Sequence, residues 1–230
     1  VTIDRRPGHY LSFPDVALAH DGRLLCAYQQ SDQHVARRRA LLLAESPDLG
    51  ASWSTPRYLN PASAHCPRIT VLEDGEVLII DGSLYRSLNH GANFAAAPLN
   101  GFTHDMPDRI IHLDGDRFYT TGHIHRGTAP QPLIRQAPSE QMGYLSDNRG
   151  GAWTPLSVLA CARNLVLCEA SVIRLPDGRL LALLRENSGV FEPLYRVESQ
   201  DQGRTWSDPR PTPLIGHRPT LGLTSGGRLL

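Results

Sequence analysis

The chain runs to 230 residues, with 23 Lys and Arg set against 23 Asp and Glu. That balance provides no net field to draw nucleic acid or another polyanion, so no nucleic-acid partner is expected. Apolar residues make up 40%, enough to fill a core, yet no apolar run approaches the roughly 18 residues that a membrane span needs.

Taken from the N-terminus, two short patterns alternate. Val16 to Leu25 is an apolar run, the pair Asp21-Gly22 and a second apolar run, and Ser46 to Trp53 then reads S-x-D-x-G-x-S-W. The first pattern returns at Thr70 to Leu78 around Asp74-Gly75, and the second at Ser87 to Phe94, where it keeps the serine, the glycine and an aromatic. A third round is Ile110 to Phe118 around Asp114-Gly115, then Ser146 to Trp153. A fourth is Val172 to Leu181 around Asp177-Gly178, then Ser199 to Trp206, the intact S-x-D-x-G-x-T-W. A last hairpin copy, Leu221 to Leu230 around Gly226-Gly227, ends the chain.

Apolar runs flanking Asp-Gly or Gly-Gly are a strong short-range hairpin signal. The five turns are spaced 53, 40, 63 and 49 residues apart, intervals that suit four-stranded sheets repeated around an axis. In the second pattern, Ser and Asp side chains can bond backbone N–H groups one or two residues on, Gly supplies a positive φ, and the closing Trp pins the turn to its sheet. With no helical periodicity over three turns, the chain is expected to be all-β. Val1 to Tyr10 lacks the apolar stretch of a secretory leader. With no initiator Met and an end in mid-strand, the chain reads as a piece of a longer protein, and its compartment stays open.

Aligning the five hairpins on their turns exposes three columns on the strand that precedes each one. Seven residues ahead stand Pro14, Pro67, Pro107, Ala170 and Pro219. One earlier are Phe13, Cys66, Met106, Glu169 and Arg218, and one earlier again Ser12, His65, Asp105, Cys168 and His217. Polar and charged groups converging from separate sheets mark a binding site better than they mark a core; solvated strand entrances are the plain alternative.

The S-x-D-x-G-x-T-W turn resembles the Asp-box, or BNR repeat, of the sialidase (neuraminidase) superfamily. The resemblance implies a sialidase-like six-bladed β-propeller, a single domain over residues 1–230 holding about four and a half blades, with the boxes on the rim. Cys168 to Arg185 resembles the sialidase segment that carries a catalytic glutamate and, one hairpin later, an arginine of the triad that holds the sugar carboxylate. Glu169 then matches the glutamate, Arg185 the arginine, and Arg218 is a candidate for a second arginine, with the tyrosine nucleophile beyond Leu230. An Arg fork matches a carboxylate bidentately. Two positions depart from the family. Ser12 of Leu11-Ser12-Phe13-Pro14 stands where the family has an arginine, with Arg5 and Arg6 as the nearest substitutes. The family's acid falls near Arg37-Arg38-Arg39, leaving Asp32, His34 or Asp105 as proton donors.

The candidate site is therefore Glu169 and Asp105 as catalytic groups, with Arg185, Arg218, His65 and His217 binding substrate. No metal and no cofactor are expected. The four cysteines form no C-x-x-C pair, and His123 and His125, two residues apart, are weaker as metal ligands than as strand histidines. The expected partner is a glycan or a small acidic sugar, and the expected activity is sialidase-like hydrolysis of a terminal acidic sugar. Two alternatives remain: a His- and Arg-based polysaccharide lyase or unusual glycosidase acting on uronate glycans through His65, His104 or His217, and a non-catalytic glycan-binding propeller. For the last, the funnel aromatics Phe13, Tyr28, Phe191 and Tyr195 are few.

Overall fold

The Asp-Gly pairs at Asp21, Asp74 and Asp177 close three-residue loops, and that at Asp114 a two-residue one. Ala19 N–H donates to Arg23 O (2.9 Å) and Gly22 N–H to Ala19 O (3.0 Å), and the Asp21 carboxylate accepts the Arg23 N–H (3.1 Å). This is a turn closed by a residue in the left-handed region, and Gly22, Gly75, Gly115, Gly178 and Gly227 all take positive φ there. Asp recurs before the glycine because its side chain ties the loop to the strand that follows.

The computed structural model describes residues 1–34, 36–125, 139–162, 165–188 and 193–230. Among them are sixteen strands and no helix. β1 (Tyr10–Leu18), β2 (Leu24–Ser31), β3 (Arg39–Ser46) and β4 (Arg57–Asn60) form the first antiparallel sheet. β5 (Arg68–Val71), β6 (Val77–Ile80), β7 (Ser83–Ser87) and β8 (Ala95–Pro98) form the second. The third comprises β9 (Ile111–Asp114), β10 (Arg117–His125), β11 (Ser139–Ser146) and β12 (Thr154–Ala160). The fourth comprises β13 (Leu167–Arg174), β14 (Leu180–Glu186), β15 (Pro193–Ser199) and β16 (Arg210–Ile215). A bridge between Leu223 and Leu229 closes the fifth hairpin. By contacts the chain divides into two compact units, Val1–Leu99 with the first two sheets and Asn100–Leu230 with the last two and that hairpin.

Every sheet is an up-and-down meander, and its first strand carries the columns aligned above. Within each unit the residue after the proline column stitches one first strand to the next. Asp15 accepts the Ile69 N–H (2.9 Å), Asp108 the Val172 N–H (2.8 Å), and Ser171 Oγ the Leu221 N–H (3.1 Å). A buried side-chain acceptor thus satisfies a backbone donor that the edge of a sheet would leave unpaired.

The four S-x-D/N-x-G turns join the third and fourth strands of their sheets and share one hydrogen-bond net. At Ser199 to Trp206 the serine hydroxyl donates to Asp201 Oδ1 (2.8 Å) and accepts the Gly203 N–H (2.8 Å), while Asp201 accepts the Thr205 N–H (2.8 Å) and hydroxyl (2.7 Å). Asn89 and Asn148 keep the backbone part of the net, their Oδ1 accepting the N–H of Asn93 and of Ala152 (2.9 Å each). These side chains reach mainly four residues on, further than the sequence implied. Two successive left-handed residues, such as Gln202 and Gly203, fold the chain back on itself.

In the second unit the core clusters on Tyr119, Leu167, Val172, Leu184 and Val197, with Trp206 laid against it. Gly203 lies under the Tyr119 ring, and a Cβ there would meet Tyr119 Cε2 at 2.6 Å with φ at +86°. Gly203→Ala is expected to cost roughly 2–4 kcal/mol from strained backbone and an overfilled core. Urea unfolding of the variant against wild type measures this.

Candidate active site

Among the described residues, eight non-glycine residues have positive φ, and all fall into two repeat columns. Leu49, His90, Arg149 and Gln202 belong to the box turns; Phe13, Cys66, Met106 and Glu169 form the column one before the prolines. In the first and fourth sheets the pairing slips at that position, between Ser12 and Asp15 and between Cys168 and Ser171. A β-bulge re-aims a side chain out of the alternating pattern of its strand. Of the four residues in this left-handed column, only Glu169 is charged.

β14 brings Arg185 alongside, because Cys168 and Arg185 are cross-strand partners. Arg185 Nη1 donates to Glu169 Oε2 at 3.0 Å, with 15% of the arginine side chain and 10% of the glutamate side chain exposed. Arg185 Nη2 donates to Nε2 of the exposed His217 at 2.6 Å. The Nε of Arg218, half-buried beside them, is enclosed and has no hydrogen-bond partner. Burial alone would raise the Glu169 carboxyl. The charge and hydrogen bond of Arg185, with Arg218 adding, outweigh it and hold the group below its ordinary value of 4.5. Glu169 is therefore a carboxylate at neutral pH.

The sign of the linkage follows from a depressed folded-state value. The ion pair contributes stability above pH 4.5 and loses it as pH falls from there through the folded-state value. The stability difference between wild type and Glu169→Gln is expected to be full at neutral pH and to close below pH 4.5. Paired urea titrations at several pH values measure it, and a gap independent of pH would contradict the assignment.

The other sequence-derived residues divide between the two units. Asp105 is exposed, and its backbone bridges His123 in both directions, at 2.9 and 3.0 Å. His104 has both ring nitrogens engaged, Nδ1 with the buried Tyr144 hydroxyl (2.5 Å) and Nε2 with Glu140 (3.1 Å). His65 belongs to the Val1–Leu99 unit, where its backbone N–H donates to Asp81 Oδ1 (3.1 Å).

Asp81 is a group that the sequence did not mark out. Burial pushes its carboxyl up to about 6, against the His65 bond and the charge of Arg39, and its Oδ2 is enclosed without a partner. A carboxyl titrating near neutrality is suited to proton transfer. Its only sequence signal is an aspartate closing a buried apolar strand.

Ser12, at the position of the family's arginine, has an enclosed hydroxyl without a partner, on the wall of a 160 Å³ cavity shared with Asp4, Cys26 and Tyr28. Arg6 does not substitute for the arginine, because Asp4 (2.9 Å), Gln30 (2.8 Å) and Tyr58 (3.1 Å) hold it. Of the expected funnel aromatics, Tyr28 and Tyr195 offer no stacking shelf. Tyr28 is buried with its hydroxyl on Asp4 (2.6 Å), and Tyr195 packs on the core. Phe191 lies outside the described residues, as does the side chain of His125.

Meandering four-stranded sheets, each with the same turn between its third and fourth strands, are of the β-propeller class. Residues 96–226, more than half of the chain, match the BNR repeat-like domain, and the chain belongs to that family. No curated protein sequence matches it. Among solved structures, a Dyadobacter fermentans protein of unknown function is 17% identical, with TM-score 0.80 over 100% of this chain and 76% of its own. An α-L-arabinanase of Penicillium chrysogenum, complexed with arabinobiose, is 14% identical, with TM-score 0.63 over 95% of this chain and 68% of its own. The NanB sialidase of Streptococcus pneumoniae is 11% identical, with TM-score 0.65 over 89% of this chain and 52% of its own. At these identities the likeness is one of fold.

Proposed function

We propose that the chain forms part of a glycoside hydrolase of sialidase type, acting on a terminal sugar that bears a carboxylate. The observation that carries this is the Glu169–Arg185–His217 chain with the unsatisfied Arg218 Nε beside it. Two guanidinium groups flank one ionised carboxylate, so the local charge is net positive and suits a single added anion. Arg218 has a buried donor to give, and Arg185 can turn its fork from His217 to a substrate carboxylate. Glu169, held ionised, then orients and polarises a nucleophile or accepts its proton, and water is added across the glycosidic bond. Solved relatives of this fold that act on glycans, the sialidase and the arabinanase, support the substrate class.

A second activity has one specific observation in its favour. His217 accepts a hydrogen bond from Arg185, so its imidazole is neutral at Nε2 and exposed beside a carboxylate-binding guanidinium. On a uronate glycan such a base can take the proton next to the carboxylate. The C–O bond to the leaving sugar then breaks, a C=C bond forms, and the leaving oxygen is protonated. That is the chemistry of a lyase.

The discriminating experiment offers the full-length protein α-glycosides of sialic acids, of Kdn and of uronic acids, together with uronate polysaccharides. Release of the aglycone without an ultraviolet-absorbing unsaturated sugar is the expected result. An unsaturated product that vanishes in His217→Ala would establish the lyase instead, and turnover of neutral sugars alone would refute both.

A further inference from the structure

The bulge that aims Glu169 frees two backbone donors of β13, and side chains of the third sheet take both. Glu169 N–H donates to His123 Nδ1 (3.4 Å) and Ala170 N–H to Gln141 Oε1 (3.4 Å). One turn of the pleat away, Ser139 Oγ donates to Leu167 O (2.6 Å). His123 and Gln141 are cross-strand partners on β10 and β11, 3% and 1% exposed, and Ser139 stands two residues from Gln141 on the same face. The His123 backbone is itself clamped by Asp105. Three side chains on one face of the third sheet thus grip residues 167, 169 and 170 of the next.

We propose that His123 and Gln141 are positioning residues for Glu169, fixing the bulge that turns its carboxylate toward Arg185. Glu169 sits at φ +49°, a left-handed conformation that is unfavourable for a non-glycine residue and persists only where its surroundings impose it. An amide without its ladder partner would otherwise be left unpaired in a dry interface. His123 meets the need only with Nδ1 unprotonated, so its ring proton resides on Nε2. This gives the first histidine of His123-Ile124-His125 a task that requires neither a metal nor contact with substrate. The inference rests on Glu169 being the acting group of the proposed hydrolase.

The test uses the full chain with carbon-labelled glutamate, following the Glu169 carboxyl by NMR titration and the amides of residues 169 and 170 by hydrogen exchange. His123→Phe keeps the ring shape and removes the acceptor, whereas His123→Asn restores an acceptor at the Nδ1 position. In His123→Phe, Glu169 is expected to titrate higher than in wild type, and its amide to exchange at least about tenfold faster while β15 amides keep their rates. His123→Asn is expected to return both toward wild type. Unchanged titration and exchange in His123→Phe would overturn the proposal, leaving the bulge self-supporting. Should His123→Phe not fold, Gln141→Met decides in the same way through the Ala170 amide. All of this is read without substrate, so failure of every glycoside to react would remove the proposed activity and leave the positioning role standing. On a glycoside that is turned over, His123→Phe is expected to lower kcat while holding KM within about threefold.

Discussion

Arg185→Ala is expected to destabilise the chain by roughly 2–4 kcal/mol and to weaken binding of an anionic sugar by roughly 2–5 kcal/mol. The stability loss comes less from the missing attraction than from what is left behind. Glu169 remains a carboxylate with only 10% of its side chain exposed and no cation in hydrogen-bond contact, and His217 loses its donor. The cost lies toward the lower end for buried pairs because Arg185 keeps 15% exposure. Arg185→Lys should recover only part, since one ammonium cannot serve Glu169 and His217 together from a rigid fork. The double variant with Glu169→Gln should be more stable than Arg185→Ala alone, because the stranded charge is gone. Urea unfolding measures the first effect and calorimetric titration with a free acidic sugar the second. Arg185→Ala as stable as wild type would mean that the pair is not buried as described.

The repeat was legible because its chemistry is local. A three-residue loop closed by Asp-Gly and a turn in which one serine and one Asp or Asn satisfy four donors are written in a few adjacent residues, so they survive in the degraded copies at Ser87 and Ser146. The pairing of Glu169 with Arg185 was legible for the same reason, since one hairpin separates them.

Less was legible wherever a side chain's partner lies on another sheet. Asp15, Asp108 and Ser171 occupy a single column, yet their task of stitching first strands together appears only when the next strand is in place. The left-handed column was invisible because glutamate, methionine, cysteine and phenylalanine share no preference for such a backbone; the position imposes it. The partners of His104, read as a possible central base, were hidden because Tyr144 and Glu140 come from a strand 36 to 40 residues away. Asp81 escaped notice because only depth of burial sets it apart from other strand-end aspartates.

Glu169→Gln separates what holds this site together from what works in it. The amide has nearly the shape of the carboxylate and can still accept a hydrogen bond from Arg185, so the bulge and the fork should persist. A free acidic sugar should bind the variant at least as well as wild type, because removing one anion leaves Arg185, Arg218 and His217 facing the substrate carboxylate with less competition. Turnover should fall by roughly 10²–10⁴-fold, the usual contribution of a positioned acid–base group, since an amide neither accepts a proton nor polarises a nucleophile as an anion does. That split, a fall in kcat with KM unchanged or lower, marks a group that acts in the transition state rather than in binding. Arg185→Ala is expected to give the opposite pattern, with KM rising first. Were Glu169→Gln to turn over at the wild-type rate while Arg185→Ala still lost affinity, Glu169 would be a counter-ion that preorganises the arginine fork. The proton would then have to be moved by another group, and His217 on the far side of Arg185 is the residue placed to do it.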